Sequence, residues 1–171
     1  MHETNKDKQY QRLRFILVVI DMTIYNKTYA IDTGKESEQL SISDIRVDYD
    51  EYKNGNPYNT VLCVEVVSGH FAGLSYLEYN IADFIDFING LKDLYDFKVK
   101  TVELNQDLSH GSKIKLELLK TGQLVIAGEL FGGNAGEQSL IFEFITDQTA
   151  IKHFSSTLFD SFIENNNYIT K

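Results

Sequence analysis

The chain has 171 residues, 43% hydrophobic and 24% charged, the balance of one soluble globular domain that can bury a core without disulfides or metals. Its formal net charge of −9 disfavours nucleic-acid phosphates and anionic membranes, which are bound through clustered Lys and Arg, and favours encounter with a cationic partner. The single cysteine, Cys63, rules out an intrachain disulfide, and the single proline argues against linkers and disordered tails.

Residues 1–12 are polar and charged and read as a flexible N-terminal segment, leaving 13–171 as one α+β domain. The apolar run Phe15 to Ile20 is too short to span a bilayer and ends at Asp21. It follows a polar lead with Glu3 and Asp7 and no small-residue cleavage site, so it does not read as a signal peptide, and the expected compartment is the cytoplasm.

A first strand is expected from Arg14 to Tyr25, with Ile16, Val18, Ile20, Met22 and Ile24 on one face and Asp21 and Thr23 on the other. A short strand follows at Tyr29 to Asp32. Leu40 and Ile42 then share one parity and Ile45, Val47 and Tyr49 the other, which places a β-bulge near Ser43 and Asp44. Asn54-Gly55-Asn56-Pro57 is a turn. Thr60 to Val67 is apolar on both faces except at Glu65, the pattern of a central strand. Ser68 to Gly73 interrupts the alternation and Leu74 to Tyr79 resumes it.

Asn80 reads as the N-cap of a helix whose apolar stripe is Ile81, Phe84, Ile85, Ile88 and Leu91. A strand near Lys98 to Leu104 and a loop from Asn105 to Ser112 come next. From Lys113 to Ile163 the chain reads as three alternating strands joined by two glycine turns and closed by an amphipathic helix. Asp147 caps that helix, which buries Ile151, Phe154, Leu158, Phe162 and Ile163. The whole is α+β: a largely antiparallel sheet of about eight strands, curved or folded into a sandwich, with one central and one C-terminal helix.

Tests for chemistry give no catalytic, cofactor-binding or metal-ligating residues. Cys63 lies inside an apolar strand, and His2, His70, His110 and His153 form no ligand spacing. Asp44, Asp48, Asp50 and Glu51 are the densest acids. As a calcium loop they fail, because Tyr52 and Lys53 stand where a ligand and a glycine are needed. Alternation reads them more simply as a solvated strand face, with 45, 47 and 49 turned inward. Gly132-Gly133-Asn134-Ala135-Gly136 lacks the Lys and Ser or Thr of a phosphate loop and reads as a strand connection.

Three segments, in order, carry a family resemblance: Val67-Ser68-Gly69-His70-Phe71-Ala72-Gly73, Thr121-Gly122-Gln123-Leu124-Val125-Ile126, and Phe142-Glu143-Phe144-Ile145-Thr146-Asp147-Gln148-Thr149. Together they resemble the WapI-type immunity proteins, which protect bacteria from contact-delivered polymorphic toxins, over roughly residues 40–165. The resemblance implies binding and not catalysis: a cognate protein toxin, a nuclease or another enzyme, is neutralised without a cofactor. Within the matched motifs Phe71, Phe142 and Phe144 read as core residues and Asp147 as a cap. The partner-binding face is placed at Asp44, Asp48, Asp50 and Glu51. The alternatives are a small-ligand-binding domain with a tyrosine-lined concave sheet, and a hydrolase whose carboxylates meet only in space.

Overall fold

The computed structural model describes residues 22–106, 111–132 and 138–164. Their nine strands form two antiparallel sheets that share one hydrophobic core. The flexible segment expected at 1–12, and the first strand up to Asp21, lie outside the described residues.

The first sheet contains β1 (Met22–Tyr25), β2 (Tyr29–Asp32), β3 (Glu38–Asp48), β4 (Thr60–Ser68) and β5 (Phe71–Tyr79). Its order is β1-β3-β4-β5, and β2 pairs with the other half of β3. The bulge falls where the parity switch places it. Ser43 pairs with Cys63 and Arg46 with Val61, so Asp44 and Ile45 together oppose Leu62. Asp44 takes the left-handed φ of 50° that the extra residue requires, a conformation Asp tolerates better than most side chains. β4 is central, and Leu62, Val64 and Val66 on its inner face are fully buried.

β1 turns its apolar side outward. Met22 and Ile24 are exposed because they pair with Asp48 and Arg46 on the solvent face of β3, while Thr23 pairs with the buried Val47. Sequence alternation gives the two faces but not which of them meets the core. The interruption after Ser68 is a two-residue hairpin turn, Gly69-His70, with Gly69 at φ 63° and strand pairing resuming at once between Ser68 and Phe71. Phe71 therefore stands at the mouth of the hairpin and is 71% exposed, so it is not a core residue.

The second sheet has the order β6 (Thr101–Asn105), β7 (Lys113–Leu118), β8 (Gln123–Gly132), β9 (Gln138–Asp147). Phe142 and Phe144 on β9 are buried as expected. A Cβ at Gly128 on β8 would run into the Lys113 carbonyl and stand 2.7 Å from Phe142 Cζ, so the ring occupies the space that a side chain would need. The glycine-rich connection at 133–137 lies outside the described residues. The sheets meet where Gly73 lies against Leu140 and Ser75 Oγ donates to the Phe131 carbonyl at 2.6 Å.

Three helices stand among the described residues. Tyr49 and Asp50, read from sequence as the end of a strand, instead open a short helix, α1 (Tyr49–Lys53). α2 (Ile81–Tyr95) is capped by Asn80, whose Oδ1 accepts from Ala82 N at 2.9 Å, and it buries Ile81, Phe84, Phe87, Ile88, Leu91 and Leu94. Asp147 Oδ1 accepts from Thr149 N at 2.8 Å and opens a 3-10 turn, then α3 (Ile151–Phe159), then a π-helical turn to Glu164. That last turn drives Phe162 among Tyr25, Tyr29 and Phe84, with centroids 4.4 to 6.2 Å apart. Burying such a ring contributes about 1.5–3 kcal/mol.

Candidate binding surfaces

The four acids singled out from sequence divide into two groups. Asp48 ends β3 and caps α1: its Oδ1 accepts from Asp50 N at 3.1 Å and Glu51 N at 2.9 Å. Asp50 and Glu51 therefore occupy the first helical turn, where carboxylates meet the positive helix end. Inward alternation at Ile45, Val47 and Tyr49 holds, since all three are buried, but the strand stops at Asp48. Asp44 sits on the bulge, four strand residues before Asp48 and so roughly 13 Å away along β3.

The α1 corner is built from local bonds. Asp50 lies 3.6 Å from Lys53 Nζ, and Glu51 Oε2 accepts from Asn56 Nδ2 at 2.9 Å. The loop after it is fixed from below by Asn59, which is buried. Its Nδ2 donates to the Asn56 carbonyl at 2.7 Å and its Oδ1 accepts from Ile81 N at 2.9 Å, tying the corner to the start of α2. Exposed Tyr52 lies in α1 itself, exposed Tyr58 in the loop after it, and exposed Met22 and Ile24 pair with Asp48 and Arg46 on the strand that leads into it. Aromatic and aliphatic groups interleaved with charge, on a rigid base, have the anatomy of a protein-binding surface.

A second surface is the outward face of the first sheet. Strand pairing sets Ser43, Cys63 and Tyr76 in one row and Ser41, Glu65 and Leu74 in the next. Leu74 and Tyr76 are more than half exposed, at 53% and 58%. Cys63, directly across from Tyr76 in the register, is 3% exposed. Burial pushes its thiol up, the hydrogen bond with Ser43 opposes this, and the charges of Asp44 and Glu65 add to it. Almost fully covered within its strand, Cys63 serves as a packing group.

A groove of about 540 Å³ runs between the β2–β3 turn and the start of α3, lined among others by Asp32, Asp147, Lys152 and His153. Its carboxylates serve their own turns: Asp32 Oδ1 accepts from Gly34 N at 2.9 Å, and Asp147 caps the 3-10 turn. The bond from Thr149 N holds the Asp147 carboxyl below the ordinary carboxylate range. Among the described residues, no three His, Cys, Asp or Glu side chains come close enough to hold a metal ion, and no helix is long and apolar enough to cross a membrane. His2 and His110 lie outside the described residues; His70 and His153 are exposed and on separate elements.

The sequence reading did not single out Tyr52, Tyr58, Leu74 or Tyr76. The signal for α1 is present, an Asp followed by two acids in a first turn and closed by Asn-Gly. For Leu74 and Tyr76 the signal is ambiguous, because period 2 does not say which face is wet. No protein-family model and no curated protein sequence matches the chain.

Proposed function

We propose that this chain is a non-enzymatic immunity protein of the WapI type, which captures a cognate protein toxin through its acidic surface at the α1 corner. The observation that carries the reading is the interleaving of Asp50 and Glu51 with exposed Tyr52, Tyr58, Met22 and Ile24 on a corner braced by Asn59. Tyrosines supply contact area at low entropic cost, and the acids steer a basic partner in a chain of net charge −9. Asp44 extends the acidic field along the same sheet, and Asp48 supports it as a cap. The polar groove by α3 is the place for the alternative, a small ligand. Its two carboxylates are engaged in turns, which weighs toward the protein-binding reading.

The test is association with the toxin domain encoded beside this gene, followed by stopped flow at several ionic strengths. Association is expected to slow about tenfold or more between low and physiological salt. The triple variant Asp44→Lys, Asp50→Lys, Glu51→Lys is expected to slow it similarly at low salt. Asp48 is left intact so that α1 keeps its cap. A toxin that fails to bind overturns the reading, and binding indifferent to the three reversals overturns the placement.

A further inference from the structure

Long sheet edges invite pairing, and proteins protect them with charge, proline, bulges or brevity. Among the described strands, β1 and β2 have four residues each and β6 has five, with Glu103 at its centre. β9 is long but carries Glu143 and Asp147. β5 carries almost no such protection in its own sequence, and the second sheet meets it at Gly73 and Ser75. Among the described strands it pairs with β4 alone; it runs nine residues, Phe-Ala-Gly-Leu-Ser-Tyr-Leu-Glu-Tyr, and has no Pro, no Lys and one charge, Glu78. Its register with β4 is unbroken from Thr60–Tyr79 to Ser68–Phe71, so no bulge twists it away. A groove of about 370 Å³ flanks its first half, lined by Phe71, Leu74, Leu130 and Leu140 and by no charged side chain.

We propose that β5 is the seam of a homodimer, in which a second copy of this chain adds its own β5 antiparallel about Ser75 and the two five-stranded sheets become one of ten strands. The strand is complementary to itself in that register. On the outward face Leu74 lies opposite Tyr76 of the second copy, and Tyr76 opposite its Leu74, two aliphatic–aromatic pairs of the kind that stabilise sheets. Glu78 lies opposite Ala72 of the second copy, so no row sets carboxylate against carboxylate. The two Glu78 side chains stand six strand positions apart, roughly 20 Å, well beyond the Debye length of about 8 Å at physiological salt. In a chain of net charge −9, this edge is where a copy approaches without meeting a row of its own charges. The contact is isologous and closed, and none of Asp44, Asp50 and Glu51 lies on β5.

The two surfaces answer salt in opposite ways. Screening weakens attraction to a basic toxin, but it relieves repulsion between two acidic copies, so the dimer tightens as salt rises. The experiment is light scattering and sedimentation velocity of the full chain across concentration and salt. The expected mass is twice the 19.6 kDa of one chain. Leu74→Glu with Tyr76→Glu sets like charges opposite each other twice across the seam and is expected to give a monomer with unchanged far-UV circular dichroism. Leu74→Lys with Tyr76→Glu sets Lys opposite Glu twice and is expected to restore the dimer. A wild-type monomer at the highest soluble concentration overturns the proposal, as does a dimer that survives the double glutamate. A folded Lys–Glu variant that stays monomeric overturns the register. None of these outcomes depends on whether a toxin binds.

Discussion

Ile141 and Phe142 are neighbours in the chain and opposites in consequence. Phe142 points between the sheets, 3% exposed, with its ring over Gly128; Ile141 points out, 75% exposed. The same division runs along β5, where Gly73, Ser75 and Leu77 meet the second sheet or the core while Leu74, Tyr76 and Glu78 face solvent. Inward positions are fixed by contact with several elements at once, so changes there register as stability. Outward positions are nearly neutral to the fold and are where association is written.

Substitutions on either side of that division test it. Phe142→Ala removes a ring and leaves a cavity over Gly128, and is expected to lower the unfolding free energy by about 3–5 kcal/mol in a denaturant titration. Gly128→Ala pushes a methyl into the Lys113 carbonyl and the Phe142 ring, an overpacking worth about 1–3 kcal/mol in the same measurement. Ser75→Ala deletes the donor to the Phe131 carbonyl and is expected to cost about 1 kcal/mol. Ile141→Thr, one residue from the first of these, is expected to stay within about 0.5 kcal/mol of wild type. A loss there comparable to Phe142→Ala would dissolve the distinction.

The smallest expected effect is electrostatic. Asp147 is exposed, and its folded-state carboxyl titrates below its unfolded one because Thr149 N donates to it. Its contribution is therefore present above the unfolded pKa and is lost as pH falls through the folded one. Asp147→Asn should flatten the acid side of the stability profile slightly and leave the neutral side close to wild type.

Much of the fold is legible because local signals and burial agree. The caps at Asn80 and Asp147, the α2 stripe, the central strand β4 and the bulge each follow from residue pattern alone. What failed depended on partners distant in sequence. Whether Met22 and Ile24 face in or out is decided by their pairing with Asp48 and Arg46, and Phe71 is left in solvent because the Gly69-His70 turn sets it at the end of the hairpin, opposite Ser68. Proximity in sequence groups Asp48, Asp50 and Glu51, but the Asp48 cap turns the chain into α1 and sets the three at a helix start. Tyr52 shares α1 with them, while Tyr58 comes from the far side of the Asn54-Gly55-Asn56-Pro57 turn.

The bulge at Asp44 has a consequence for how this strand tolerates change. It is a phase marker: even-numbered residues of β3 point inward before it and odd-numbered ones after it. Deleting Asp44 would merge the two phases into one unbroken alternation, but drawing it into the ladder as an ordinary strand residue would act on side chains as a frameshift acts on codons. Ile45, Val47 and Tyr49 would be read onto the wrong face without any of them being altered, whereas replacing Asp44 by glycine would keep the phase and ease its left-handed backbone.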